Sequence, residues 1–261
     1  MTLSEGVILG VVQGLAEFLP ISSSGHLVLV EHWLGITSDD LVFEVAVHAG
    51  TLLSVLWFFR ARLLEFAQAV IGRGESAQTI ASARRQIGFL IIGSIPAAVI
   101  GLLFKDQIET VFADPYISAI FLMVTGAILL STYFKKNTRE DLTGHKSFLI
   151  GCAQTVAILP GISRSGSTIS TGLWCGVRPA LAAEFSFLLS IPAVGGAILL
   201  TLTDTWGSGL VGIPHFVGAL VAAVTGYAAL RTVFAFLRGG RFALFGVYCL
   251  IVGALATILL Q

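Results

Sequence analysis

Gln13 to His26 reads QGLAEFLPISSSGH, and Gln154 to Ser167 reads QTVAILPGISRSGS. Each runs out of an apolar, helix-like segment through a proline into a bend rich in serine and glycine. A shift of 141 positions superposes them: Gly10 falls on Gly151, Gln13 on Gln154, Ala16 on Ala157, Ile21 on Ile162, Ser22 on Ser163, Ser24 on Ser165 and Gly25 on Gly166. The copies differ where chemistry is expected, with Glu17 and His26 in the first against Arg164 and Thr168 in the second. The rest of the chain reads as a scaffold that brings the two bends together inside a membrane.

Of the 261 residues 56% are hydrophobic and 11% charged, and the mean hydropathy is +0.92. A soluble domain carries about 25% charged residues. The net charge is zero, which offers no basic surface to nucleic acid, and none is expected as a partner. Cys152, Cys175 and Cys249 each sit in an apolar stretch without a CxxC neighbour, the pattern of inert buried thiols. The start of the chain has Glu5 and no basic stretch of the kind that opens a cleavable signal peptide. These properties describe an integral membrane protein.

Apolar runs long enough to span a bilayer, about 17–25 residues, fall near 43–60, 87–104, 116–134, 182–202, 214–231 and 242–260. Two further apolar regions, 6–35 and 148–177, are interrupted by Pro, Gly and Ser. Broken backbone cannot face lipid with its polar groups unpaired, so both regions are expected to be re-entrant hairpins buried in protein or lining a wet cavity. Of the 15 basic residues, 12 fall in alternate connections: Arg60, Arg62, Arg73, Arg84 and Arg85, then Lys135, Lys136, Arg139 and Lys146, then Arg231, Arg238 and Arg241. By the positive-inside rule those connections are cytoplasmic. The loops at 105–115 and 203–213, with Lys105 against Asp106, Glu109 and Asp114 and with Asp204 alone, face outward. Trp33 and Trp206 on the outer side and Trp57 on the inner side suit interfacial anchoring. Tracing the path then gives an all-α polytopic fold of six transmembrane helices and two re-entrant hairpins, one entering from each side. The expected organisation is a single domain over 1–261, with one repeat over about 1–140 and an inverted one over about 141–261; Glu44 and Glu184, near the starts of matching spans, fit the same duplication. Inverted repeats with broken helices place their site near the midplane where the repeats meet.

Glu17, His26 and Arg164 are the ionisable residues expected deepest in the apolar region, where a charge costs at least about 2.5–3.5 kcal/mol. A plain ion pair joining Glu17 to Arg164 would account for two of them but not for the hydroxyls and glycines around them. An anion cradle accounts for both. Ser22, Ser23, Ser24 and Gly25 form one wall; Gly161, Ser163, Ser165, Gly166, Ser167 and Thr168 form the other. Glycines let backbone N–H groups converge on a ligand, helix N-termini add partial positive charge, and Arg164 offers a permanent fork of donors matched to phosphate. His26, beside these hydroxyls, is suited to taking a proton from a serine or a water, or giving one to a leaving group. Glu17 lies one turn after Gln13 and shares its face. It can orient His26 or hold a divalent cation, magnesium or calcium, that shields phosphate charge. His48, one turn from Glu44, reads as a packing histidine. Arg178 reads as an anchor, and His32, His145 and His215 receive no role.

QGLAEFLPISSSGHL over Gln13–Leu27, LPGISRSGSTIS over Leu159–Ser170 and EFSFLLSIP over Glu184–Pro192 resemble, in order and spacing, the undecaprenyl-diphosphatase family of bacitracin-resistance membrane phosphatases. The resemblance runs over essentially the whole chain. It implies hydrolysis of undecaprenyl diphosphate to the monophosphate and inorganic phosphate, which recycles the lipid carrier for peptidoglycan and so supports bacitracin resistance. It also implies a divalent cation and a multi-pass place in the bacterial plasma (inner) membrane, with the site open to the outer, periplasmic side. Carried over by position, Glu17, Ser23, His26 and Arg164 are the expected catalytic residues, with Glu17 also the metal ligand. Gln13, Ser22, Ser24, Gly25, Gly161, Ser163, Ser165, Gly166 and Thr168 are the expected substrate-binding residues. Position 13 departs from the family pattern, since many relatives carry a second glutamate there. Ser23 attacking phosphorus with His26 as base, and direct attack by a water, both remain open. So do a homodimer and the rival reading of a lipid-phosphate transporter or flippase on the same inverted repeat.

Overall fold

The computed structural model describes residues 1–36, 40–104, 114–135, 140–204 and 212–260. Every regular element among them is helical apart from a single isolated bridge between Glu140 and Val177. In chain order they are α1 (Leu3–Phe18), α2 (Ser23–Leu34), α3 (Leu41–Phe58), α4 (Arg60–Val70), α5 (Ala77–Leu103) and α6 (Pro115–Ser131). A 3₁₀ turn (Thr132–Phe134) follows, then α7 (Gly144–Val156), α8 (Arg164–Trp174), α9 (Pro179–Asp204), α10 (Ile213–Arg238) and α11 (Leu244–Leu259).

Among the described residues, five helical stretches are long and apolar enough to cross a membrane: Leu41–Phe58, Ala77–Leu103, Pro115–Phe134, Pro179–Thr201 and Ile213–Arg238. This is a polytopic membrane architecture. The run expected at 242–260 forms α11, whose 16 residues are apolar but short; at 1.5 Å per residue it reaches about 24 Å. Two spans outrun their apolar segments. The expectation of 87–104 becomes a helix that starts ten residues earlier, at Ala77, where Ser76 caps it by accepting from the Thr79 backbone N–H. The expectation of 214–231 continues to Arg238. The first basic connection also holds a helix that the hydropathy pattern did not mark, α4, set off from α3 by Phe59 alone. Lys105, Asp106, Glu109, Lys136, Arg139 and Trp206 lie outside the described residues.

Both interrupted apolar regions are broken helices. The first is α1 and α2 with the break at 19–22, and the second is α7 and α8 with the break at 157–163. Small residues set how closely the helices approach. α1 runs parallel to α10 along Gly6, Gly10 and Gly14. A Cβ on these would fall 2.8 Å from the Pro214 carbonyl oxygen, 2.6 Å from that of Gly218 and 2.5 Å from that of Ala222. Gly151 of α7 meets the backbone of Gly93 in α5 in the same way, at 2.3 Å. Gly126 of α6 and Gly246 of α11 face each other reciprocally, at 2.8 and 2.7 Å. Lipid tails are as apolar as leucine, so close van der Waals contact along such seams, rather than expulsion from water, holds membrane helices together. Beneath the first bend an aromatic cluster fills the centre: Phe18 and Phe187 meet edge to face at 5.8 Å, and Phe59 and Phe234 close around Phe187.

Candidate active site

The two breaks are built alike. In the first, Pro20 and Ile21 lead to Ser22, which caps α2 and accepts from the Gly25 N–H at 3.3 Å. In the second, Gly161 turns the chain at φ 90° and Ser163 caps α8, accepting from the Gly166 N–H at 3.1 Å. Ser22 stands at φ 70°, the left-handed region that only glycine enters freely. A strained residue persists where its surroundings over-determine it, and here its hydroxyl, its backbone and the next helix all do so. Thr125 of α6 pins the second bend: its hydroxyl donates to the Gly161 carbonyl at 2.8 Å and accepts from the Ser163 N–H at 3.0 Å.

The bends touch. A Cβ on Gly25 would lie 2.9 Å from the Cα of Gly161, so only a hydrogen fits between the two chains. The Ser165 hydroxyl donates across to the Leu19 carbonyl at 3.3 Å. Arg164 Nη2 donates to Glu17 Oε1 at 2.5 Å, with side chains 14% and 8% exposed. Taking two charges out of water costs several kcal/mol each, and their attraction offsets this only when the remaining polar atoms are satisfied. They nearly are: Glu17 Oε2 accepts from the Ser23 hydroxyl at 2.7 Å and from Gln13 Nε2 at 3.1 Å.

That arrangement revises the pairing expected of Ser23. Its hydroxyl faces Glu17, not His26. His26 is engaged elsewhere, with Nδ1 2.9 Å from the Ser22 carbonyl oxygen and Nε2 2.9 Å from the hydroxyl of Tyr248. Several hydroxyls expected to line the cradle are instead buried within the bends. Ser22, Ser163, Ser165 and Thr168 are nearly inaccessible. Ser22 bonds Ser24 and Ser163 bonds Ser165, each within its own bend. Thr168 donates to the Arg164 carbonyl at 2.7 Å and sits 2.6 Å from the Ser186 hydroxyl. Ser23, Ser24, His26 and Arg164 are the partly open polar groups of the two bends.

Gln13 is fully buried, and its Oε1 has no hydrogen-bond partner. Turning the amide over would set oxygen against the Glu17 carboxylate, so the donor belongs where it is and the oxygen is the orphan. That acceptor and the Glu17 carboxylate are the oxygens this site can offer a hard cation. No group of three or more His, Cys, Asp or Glu gathers among the described residues. Gln154, at the matching place in α7, is buried with both amide atoms unpartnered. A cavity of about 200 Å³ bounded by Thr132, Lys135, Leu173, Leu237 and Phe242 lies away from the bends and contains none of these groups. Tyr248 and Thr125 escaped the reading of the sequence, and Ser186 entered it only as part of EFSFLLSIP, with no role of its own. Each shares its apolar helix with at least one other hydroxyl, and nothing in its neighbours singles it out.

Residues 6–255 match the family described as bacitracin resistance protein BacA. The chain belongs to that family. Among curated relatives, the chain is 44% identical over 262 residues to a protein of Desulfosudis oleivorans named undecaprenyl-diphosphatase, with 95% of each chain covered. A protein of the same name from Desulforapulum autotrophicum is 40% identical, covering 99% of this chain and 98% of its own. One from Salinibacter ruber is 39% identical over the full length of both. BacA membership over nearly the whole length takes in both bends and the helices that carry them.

Proposed function

We propose that this protein hydrolyses undecaprenyl diphosphate to undecaprenyl phosphate and inorganic phosphate, recycling the lipid carrier of cell-wall synthesis. The observation that carries the reading is the contact between Glu17 and Arg164 across the two bends, with the Ser23 hydroxyl hydrogen-bonded to the same carboxylate. The names of the relatives point to the same reaction. Arg164 holds the diphosphate through the guanidinium N–H groups that Glu17 and the Ser186 carbonyl leave open, and the N-terminal backbone of α2 adds N–H groups aimed at the same anion. Ser23 Oγ attacks the terminal phosphorus and its proton passes to Glu17 Oε2, while the bond from that phosphorus to the bridging oxygen breaks and undecaprenyl phosphate leaves. Water then cleaves the phosphoserine and restores Ser23. Preorganised donors and a positive charge in a water-poor site lower the barrier by stabilising charge that develops on phosphoryl oxygens.

A divalent cation, magnesium or calcium, fits the orphan oxygen of Gln13 together with Glu17, with substrate phosphates supplying further ligands. When bound it would neutralise phosphate charge. The inverted repeat belongs to the same reading. It is supported by the 141-residue shift and by the matched glycines Gly10 and Gly151, each seated on a glycine of the opposite half. Arg60, Arg62, Arg84 and Arg85 on one connection, with Arg238 and Arg241 on another, support a cytoplasmic side and a site open to the outer face of a bacterial plasma membrane.

The test is phosphate release from C55 diphosphate by the purified protein in detergent, with and without chelator. Release that stops on chelation and returns with magnesium or calcium is expected. Ser23→Ala should lose turnover, and a phosphoserine should be trapped on acid quench. Near-normal turnover by Ser23→Ala would move the attack to water, and no release by the wild-type protein would end the phosphatase reading.

A further inference from the structure

α11 meets the first bend through Tyr248 and through Cys249, whose thiol donates to the Pro20 carbonyl at 3.8 Å. Its outer stripe of Leu244, Val247, Ile251 and Leu255 is apolar and exposed, as a lipid-facing surface should be. Tyr248 sits on that stripe, 42% exposed, yet its hydroxyl turns inward to His26 Nε2 at 2.9 Å. The two rings lie parallel, with centroids 5.6 Å apart and planes 9° from coplanar. Packing alone would be served by phenylalanine, so the hydroxyl calls for another reason.

The partners fix the protonation pattern. His26 Nδ1 faces a backbone carbonyl, which can only accept, so Nδ1 carries the hydrogen and donates to Ser22. Nε2 then holds the lone pair, and the Tyr248 O–H donates to it. The imidazole is therefore held at both ends, and turning the ring over would break both bonds. Both supports are stiff. The Ser22 carbonyl belongs to the residue at φ 70° that caps α2, and α11 is seated by the reciprocal contact of Gly246 with Gly126.

We infer that Tyr248 is a positioning residue: it fixes the plane and tautomer of His26 and, through its own hydroxyl, links the basic Nε2 to the water it activates. This deepens the phosphatase reading and rests on it for the role of His26. With Glu17 facing Ser23, His26 is the base left for the water that cleaves the phosphoserine. The water proton goes to the Tyr248 oxygen as the Tyr248 proton passes to Nε2, the water oxygen bonds phosphorus, and the bond between phosphorus and Ser23 Oγ breaks as that oxygen takes back the proton held by Glu17.

The experiment is a double-mutant cycle on the full-length protein in detergent. Tyr248→Phe keeps the ring and removes the hydroxyl; loss of one such bond is expected to lower kcat roughly tenfold while KM for C55 diphosphate stays within about twofold. In a His26→Asn background, the same change should cost nothing further, since coupled residues are non-additive. An equal loss in both backgrounds, or an unchanged kcat, would overturn the inference. A second readout does not need turnover. With ¹⁵N-labelled histidine, the resonance lost in His26→Asn should show the Nδ1–H tautomer in the wild type and a displaced Nε2 signal in Tyr248→Phe. A wild type that releases no phosphate but shows that displacement would retire the phosphatase reading and keep the positioning role. An unmoved signal would retire the positioning role whatever the activity.

Discussion

Arg164→Ala separates the stability of the site from its chemistry. The substitution leaves the Glu17 carboxylate, 8% exposed, without its guanidinium. Removing one partner of a buried pair costs about 3–5 kcal/mol. Ser23 and Gln13 still donate to Glu17, which places the loss at the lower end, about 3 kcal/mol. At roughly 2–4 °C per kcal/mol for a chain of this size, the midpoint should fall by about 6–12 °C. Replacing a buried pair with neutral groups of similar shape is often neutral or better, so Glu17→Gln with Arg164→Met should recover most of that fall. Neither variant should turn over, because losing a preorganised charge at the transition state costs at least about 10²-fold. Thermal unfolding in detergent followed by intrinsic fluorescence reads the first quantity, and phosphate release reads the second. Arg164→Ala melting with the wild type, or a double variant melting as low as Arg164→Ala, would refute the view that these two residues are mutually compensating charges.

Three further outcomes follow from the described contacts. Thr125→Val should strand the Gly161 carbonyl and the Ser163 N–H, at about 1–3 kcal/mol for each unsatisfied buried group; Thr125→Ser should restore the midpoint. Gly161→Ala should destabilise by more than about 1 kcal/mol, because its φ is 90° and a Cβ would lie 2.3 Å from the Ser118 carbonyl oxygen; thermal unfolding checks it. The exposed Glu140 carboxyl is held below the ordinary carboxylate range, first by the hydrogen bond from Lys146 at 2.5 Å and then by that residue's charge. A lowered value means that its contribution is present above the ordinary carboxylate range and is lost as pH falls through the lower folded value. Lys146→Ala should return the Glu140 titration, followed by ¹³C NMR, toward the ordinary value.

The breaks in both hairpins, the close approach of Glu17 to Arg164 and the membrane class were legible because each has a local signature: proline and glycine inside apolar runs, and charges where charges are costly. Helix ends were less so. Hydropathy marks the part of a helix that sits in lipid, while α5 starts in the polar stretch Ala77–Arg85 and α10 runs on from Arg231 to Arg238, charges that end an apolar run but not a helix. The roles of the hydroxyls were least legible. Whether a serine points at a ligand or ties its own bend depends on the neighbour that tertiary packing supplies. That is how Thr168 came to face Ser186, Ser23 to face Glu17, and His26 to face a tyrosine 222 residues away.

The glycine seam of α1 also bears on how the chain comes off the ribosome. Gly10 finds its seat on Gly218, 208 residues later, so one of the first helices made waits for one of the last. At about 5–20 residues per second that interval is roughly 10–40 s. For that time a helix notched to fit a partner has none. Its orphan face must be sheltered by lipid, by the insertion machinery or by a provisional neighbour, and substitutions that fill the notches should show first as degraded newborn chains rather than as mature protein with poor turnover.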